Sequence, residues 1–318
     1  MNIREADLFI TGGAGSLGNA IARLRKEQGW TGRLTVFSTD AHKHEKMKRE
    51  FPDVQFVQGD IRSTDILQNA MVGHDIVIHA AAVKIIPVSE YASIDTFDVN
   101  VNGSMSVCHA ALKSGIKAVL GISTDKACYP ANAYGATKLL MEKAFQEFAR
   151  AGYDCKFYLI RYGNVLESNG SVIQAWKEAI SRGGMISITD PDMTRFWLSP
   201  MQAARYVADV FDPYIGMKSG DIFIPGMKGL SVGKLAEYNI GDYSNMVERV
   251  PLRPGEKMHE CILTDQEKKK AYGLGGRFII LKPSTDPDHP YHLHENAIYS
   301  NTVQELNQDE LTELLRNE

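Results

Sequence analysis

A doubly wound, mainly parallel α/β sheet with a smaller C-terminal lobe is the fold this sequence predicts, and three observations predict it. Short apolar runs alternate with stretches of helical periodicity from residue 7 onward, the pattern that builds βαβ units. The first run, DLFI at 7–10, stops at TGGAGSLG and is followed by NAIARLRKEQ, which reads as strand, glycine turn and helix. After FYLIRYGNV the alternation gives way to helices and Pro-containing loops. The glycine turn makes the sheet Rossmann-type. Gly12, Gly15 and Gly18 fit GxxGxxG, where missing side chains permit a tight turn, close approach of a pyrophosphate and close helix packing. Free N–H groups and the positive dipole end of the helix then favour phosphate. Gly12, Gly15, Ser16, Leu17 and Gly18 are therefore the expected dinucleotide cradle. On its own such a motif is only a tight turn; its place between strand and helix gives it meaning.

Composition narrows the function classes. The chain has 318 residues, 44% hydrophobic and 23% charged, with a formal net charge of -4. That is enough for a large core, and it lacks the positive field that gathers nucleic-acid backbones. The N-terminus has no signal-peptide pattern and no apolar run reaches the roughly 18 residues of a membrane span, so a cytoplasmic protein is expected. Cys108, Cys128, Cys155 and Cys261 show no CxxC spacing, which argues against a zinc site or a disulfide frame. His289, His292 and His294 lie in a polar, Pro-containing segment and read as loop residues, so no metal is expected. Trp30, Trp176 and Trp197 read as packing residues.

The second strand, LTVFS, carries the residues that meet the adenosine ribose. It ends at Ser38 and Thr39, with Asp40 and Lys43 beyond. A hydroxyl and a cation there favour NADP, while Asp40 leaves NAD open. Next come VQFVQGDI, whose Asp60 and Ile61 could flank an adenine, and DIVIHAAA, where Ala80, Ala81 and Ala82 let the backbone approach the cofactor. A helical stretch then leads to KAVLGIST, which delivers ISTDKACYPANAYGATK to the C-terminal sheet edge, where ligands of open α/β sheets bind. Tyr134 and Lys138 are four apart, hence on one helical face. An ammonium under the phenol would lower its pKa and let it exchange a proton with a sugar hydroxyl. Thr124, Asp125 and Lys126 add a hydroxyl, an acid and a base, more than alcohol oxidation requires. MISITDPDMTRFWLSP reads as a strand-poor loop, and LTELLRNE as a closing helix.

In order, TGGAGSLG, GDI, HAAA, STDKA, YGATK and RYGNV resemble the extended short-chain dehydrogenase/reductases. STDKACYPANAYGATKLLMEK, RYGNVLESNGSVIQAW, MTRFWLSP and LRPGEKMHE resemble its inverting UDP-N-acetylglucosamine 4,6-dehydratase branch, from about residue 7 to 282. The resemblance implies an NADP-binding domain over 1–163 with a returning segment near 196–225. It also implies a mainly UDP-sugar-binding lobe over 164–318, and usually a homo-oligomer. Lys84, Asn164, Arg195, Arg253 and Glu256 are then the substrate contacts: amide, ammonium and guanidinium groups donate to a diphosphate and a carboxylate accepts from ribose. Catalysis would fall to Tyr134 with Lys138 and Thr124 at O4, to Lys126, with a depressed pKa, as the base at C5, and to Asp125 as the acid at the C6 hydroxyl. The chain departs from the pattern at Ala14, Leu17, Thr39, Ile85 and the LSP after MTRFW; Thr39 replaces a frequent arginine and weakens the NADP reading. A UDP-hexosamine 4-epimerase would need Tyr134 and Lys138 but no elimination pair. A non-catalytic NADP-binding regulator would commonly lose even those two.

Overall fold

The computed structural model describes residues 2–168, 170–274, 277–283 and 296–316; His289, His292 and His294 lie outside them. The first half alternates as predicted: β1 Leu8–Thr11, α1 Ser16–Glu27, β2 Leu34–Ser38, α2 Ala41–Glu50, β3 Gln55–Gln58, α3 Thr64–Met71 and β4 Ile76–His79. Then come short helices α4 Ile86–Tyr91 and α5 Ser93–Phe97, a π turn at Asp98–Asn102, α6 Gly103–Lys113, β5 Ala118–Thr124, a 3-10 turn at Asp125–Ala127, α7 Ala133–Arg150 and β6 Lys156–Tyr162. The rest comprises β7 Asn164–Val165, α8 Val172–Ser181, β8 Ile186–Ile188, β9 Thr194–Leu198, α9 Pro200–Asp209, β10 Ile222–Pro225, β11 Lys228–Ser231 and α10 Val232–Ile240. It ends with β12 Val247–Arg249, β13 Cys261–Leu263, β14 Ala271–Leu274, β15 Phe278–Leu281, β16 Ile298–Tyr299 and α11 Gln308–Arg316.

Nine strands form one sheet in the order β14-β15-β10-β6-β5-β4-β1-β2-β3. All pairings from β3 to β10 are parallel, and β15 and β14 add as an antiparallel edge. Buried parallel strands need apolar residues on both faces, and the strands supply them alternately. Leu8, Ile10, Ile76 and Ile78 face a layer with Ile21 and Leu24 of α1 and Met201 and Val207 of α9. Phe9 and Val77 face the opposite layer with Val107 of α6 and Met141 and Phe145 of α7. A third cluster, containing Leu166, Trp176, Trp197, Leu230, Leu311 and Leu314, is the core of the smaller lobe. The three tryptophans are buried and α11 packs through its leucines.

Two sequence expectations need correction here. The segment 185–200 is not strand-poor: β8 pairs with β12, and β9 lies between β7 and β11. Phe196, Trp197 and Leu198 are buried aromatic and aliphatic residues suited to a pleated surface, which the flanking prolines masked. Residues after 163 are also more interleaved with the first half than a split at 163/164 implies. Not only α9 and β10 but also the β14–β15 hairpin belongs to the large sheet and its layers.

Candidate active site

The glycine turn packs against the chain's own backbone where no Cβ would fit. Gly12 has φ +66°, and a Cβ there would meet the Ala81 backbone at 2.7 Å, so the first loop and the Ala80–Ala82 turn touch directly. Gly18 approaches so closely that its Cβ would lie 1.9 Å from the Gly13 carbonyl oxygen. Gly15 caps α1 with no side-chain hydrogen bond, so the first turn keeps backbone donors for an anion. These residues fit a dinucleotide pyrophosphate. Behind them Thr11 Oγ1 meets His79 Nδ1 at 2.7 Å, and His79 Nε2 meets Ser104 Oγ at 2.8 Å. Burial pushes the His79 pKa down to about 3, with Lys138 adding to the effect, so this ring is a neutral structural strut.

The adenosine end differs in detail from expectation. Ser38 Oγ is 2.7 Å from His44 Nε2, and Lys43 Nζ is 3.1 Å from Asp40 Oδ2. Asp40 also caps α2 by accepting from the Lys43 N–H, and that bond leads the causes holding its carboxyl below the usual range. The Thr39 carbonyl accepts from Gln58. Asp60 is tied to Arg62 at 2.6 Å, and Arg62 also reaches Asp95. Ile61 is buried against Gly103, which makes it a packing residue first. At the mouth, Lys84 is exposed, yet crowding of its ammonium by surrounding protein and the like charge of Lys43 lower its pKa.

The catalytic stretch comes together as one unit. Asn132 caps α7 by accepting from Gly135 N at 2.8 Å, and donates through Nδ2 to Gly255 O at 2.9 Å. Any side chain at Gly135 would strike the Lys126 carbonyl oxygen, 2.2 Å from its would-be Cβ. That contact presses the first turn of α7 onto the 3-10 turn and sets Tyr134 beside Thr124 and Lys126. Asn100, in the π turn, binds both Val83 backbone groups and Thr137 Oγ1, so it ties the Ala80–Ala82 loop to α7. Sequence reading passed over Asn100, because only the fold brings Val83 and Thr137 to it.

The electrostatics invert two expectations. Burial raises the Tyr134 pKa; Lys126 and a hydrogen bond with Thr124 pull it back only partly. Lys138 is on the same helical face, but its Nζ lies 3.0 Å from Met141 Sδ, and burial lowers its pKa to about 8 despite Glu142. The cation that the phenol feels is thus Lys126. Nor is the pKa of Lys126 depressed. Burial alone would lower it, but Asp125 and Glu260 more than offset that, and it is raised. Its Nζ is 3.0 Å from Asp125 Oδ1, 3.0 Å from Asn164 Oδ1 and 3.5 Å from Glu260 Oε1. Asp125 is fully buried, and burial raises its pKa against the pull of Lys126, which suits the acid role.

Asn164 therefore sits on Lys126, its carbonyl oxygen committed there. Arg195 is buried, donates to the Thr194 and Met258 carbonyls, and lies 3.9 Å from Glu260; its charge bears on the catalytic cluster. Arg253 is exposed, and Glu256 accepts from the Arg253 N–H at 3.1 Å. The Asn132–Gly255 bond holds this loop over the start of α7. Glu260, which closes LRPGEKMHE, was not singled out in the sequence; it reaches the site only because β13 runs beside the 3-10 turn. Cys128 accepts from the buried Arg161 at 2.9 Å and is a structural thiol. All four cysteines are free and buried. Among the described residues no group of three or more His, Cys, Asp or Glu is placed to hold a metal, and no helix is long and apolar enough to cross a membrane.

Residues 8–282 match the polysaccharide biosynthesis protein family. A UDP-N-acetylglucosamine 4,6-dehydratase (inverting) from Campylobacter jejuni is 34% identical over 281 residues, 87% of this chain and 83% of its own. A UDP-glucose 4-epimerase from Rickettsia bellii is 34% identical over 330 aligned positions, 98% of this chain and 96% of its own. The X-ray structure of Pen from Bacillus thuringiensis superposes with a TM-score of 0.89 at 28% identity, covering 100% of this chain and 99% of that one. The dTDP-glucose 4,6-dehydratase DesIV from Streptomyces venezuelae, solved with NAD bound, gives a TM-score of 0.73 at 20% identity over 98% and 96% of the two chains, and shares the fold. A glycine cradle, a Tyr–Lys helix and a matched span of this length lead to one assignment: the chain belongs to the polysaccharide biosynthesis protein family of extended short-chain dehydrogenase/reductases.

Proposed function

We propose that this protein is an inverting UDP-N-acetylglucosamine 4,6-dehydratase with a nicotinamide cofactor. The observation that carries the reading is the Asp125–Lys126 pair, held at 3.0 Å beside Tyr134, since 4-epimerisation would leave it without work. The dinucleotide, when bound, accepts hydride from the sugar and later returns it. The chain's own residues move the protons. Tyr134, with Thr124 beside it, takes one from O4 once its own phenolic proton, held by burial, has been released to solvent; Asp125 gives one to the departing C6 hydroxyl; Lys126 removes one from C5. At rest Lys126 is an ammonium, so it must first lose a proton. Transfer along its hydrogen bond to the Asp125 carboxylate yields a neutral amine and a neutral carboxylic acid in one step, with no change in net charge. The proton arrives on Oδ1, the acceptor of that bond, while Asp125 Oδ2, buried and without a hydrogen-bond partner among the described residues, has no donor to hold the carboxylate ionised.

Lys84, Arg253, Glu256 and the free donors of Asn164 and Arg195 would hold the UDP moiety. Of the two dinucleotides we favour NADP, since Lys43 neutralises Asp40 and stands close enough to Lys84 to lower its pKa; tighter binding of NAD would overturn this. Four reduced cysteines suit the cytoplasm. Tyr91 and Ile94, 90% and 81% exposed on the adjoining helices α4 and α5, offer an apolar face for a homo-oligomer, which light scattering would test. The deciding experiment for function incubates the protein with UDP-N-acetylglucosamine. Loss of one water is expected, with deuterium entering C5 in heavy water. An unchanged mass with a new 4-epimer would make it an epimerase, the reading that the Rickettsia relative supports.

A further inference from the structure

We propose that Glu260 is the positioning residue of the elimination pair: its carboxylate fixes the Lys126 ammonium and sets the pH range in which Lys126 and Asp125 exchange their proton. The proposal rests on the dehydratase reading for its kinetic consequence, and on geometry for its substance. Glu260 is 3% exposed, and its carboxylate meets three cations: Lys126 at 3.5 Å, Lys257 at 3.6 Å and Arg195 at 3.9 Å. Among the described residues its Oε2 has no hydrogen-bond partner; the group is held by charge and by its backbone, whose N–H donates to Ser300 Oγ at 2.9 Å.

The groups facing Lys126 can be named by element. Asp125 lies in its own turn, Asn164 on β7, Arg195 on β9, Tyr134 on α7, and Glu260 just before β13. Asp125 and Asn164 hold the ammonium by hydrogen bonds at 3.0 Å, and Glu260, from a third element, adds a charge contact at 3.5 Å. Its charge favours the proton on both members of the pair, since it raises the pKa of Lys126 and of Asp125 alike. The pair titrates as a unit, so removing the charge moves both of its apparent pKa values in the same direction.

The test is Glu260→Gln, which keeps the shape and removes the charge. The pH profile of water loss should shift bodily to lower pH by about one unit, a tenfold change in proton affinity, with Glu260→Asp returning most of the way. A structural role alone would lower kcat at every pH without moving the limbs. In parallel, carbon-13 labelled lysine would give the Lys126 titration by NMR in wild type and Glu260→Gln, independently of turnover. A downward shift of about one unit there supports the proposal even if the wild type proves to be an epimerase. An unmoved Lys126 titration in a variant that still binds NADP overturns it. Failure of the wild type to release water, with the Lys126 shift intact, would overturn only the dehydratase reading.

Discussion

Asn132 is where helix stability and substrate binding can be separated by one atom. Its Oδ1 caps α7 and its Nδ2 tethers the Arg253–Glu256 loop through the Gly255 carbonyl. In Asn132→Ala both bonds go. Losing a cap costs typically about 1 kcal/mol, and losing the tether about 1 more. The total of about 2 kcal/mol should lower Tm by roughly 4 °C, taking the low end of the range for larger chains. Asn132→Asp keeps the acceptor at the helix start, where a carboxylate is favoured, and loses only the donor to Gly255. It should melt within about 2 °C of wild type. Its KM for the UDP-sugar should nevertheless rise about fivefold, the equivalent of about 1 kcal/mol, with kcat little changed. Scanning fluorimetry at one protein concentration and initial rates across substrate concentration measure both quantities. Should Asn132→Asp keep the wild-type KM, the loop is not held by this bond.

Four further outcomes follow from the geometry. Gly18→Ala cannot be accommodated without moving α1 or the Gly13 backbone, so cofactor affinity should fall at least about a hundredfold, roughly 3 kcal/mol; calorimetric titration measures it. Lys138 has a folded pKa of about 8, below that of a free lysine, so the unfolded chain holds its proton more tightly. The resulting cost is fully present below pH 8 and disappears as pH rises towards 10.5. Lys138→Met should therefore be more stable than wild type at pH 7, by up to roughly 3 kcal/mol, with the gain gone near pH 10.5 in urea melts. Glu267, its carboxyl held down to about 2 chiefly by Arg161 against burial, contributes stability that is complete above pH 4.5 and lost as pH falls towards 2. Glu267→Gln should flatten that acid limb, whereas Arg161→Met, which strands Glu142 and Glu267, should cost about 3–5 kcal/mol.

What could be read in advance was whatever lies close along the chain. The glycine turn, the apolar runs and the shared face of Tyr134 and Lys138 are local periodicities, and the fold places them as local rules require. The protonation states of Tyr134 and Lys126 were not legible. The first depends on burial and on Lys126, which approaches from the preceding turn, and the second on Glu260, far away in the sequence. The role of Lys138 changed for a similar reason: spacing puts its Cα near Tyr134, but its long side chain ends on Met141. The β14–β15 edge escaped notice because AYGL and FIIL are short runs whose pairing with each other and with β10 is decided by the sheet.

Arg161 has a consequence for biosynthesis. Its side chain is 0% exposed, and it bonds to Glu142 on one side and to the Ile262 carbonyl and Glu267 on the other. The second set comes from residues 101 and 106 positions later. At translation speeds of roughly 5–20 residues per second, the nascent first half waits on the order of 5–20 seconds with this guanidinium paired on one side only. Ribosome-bound chains ending before Glu267 thus carry guanidinium donors whose acceptors are not yet made, and the surroundings of β6 are completed late, when Ile262 and Glu267 have left the exit tunnel.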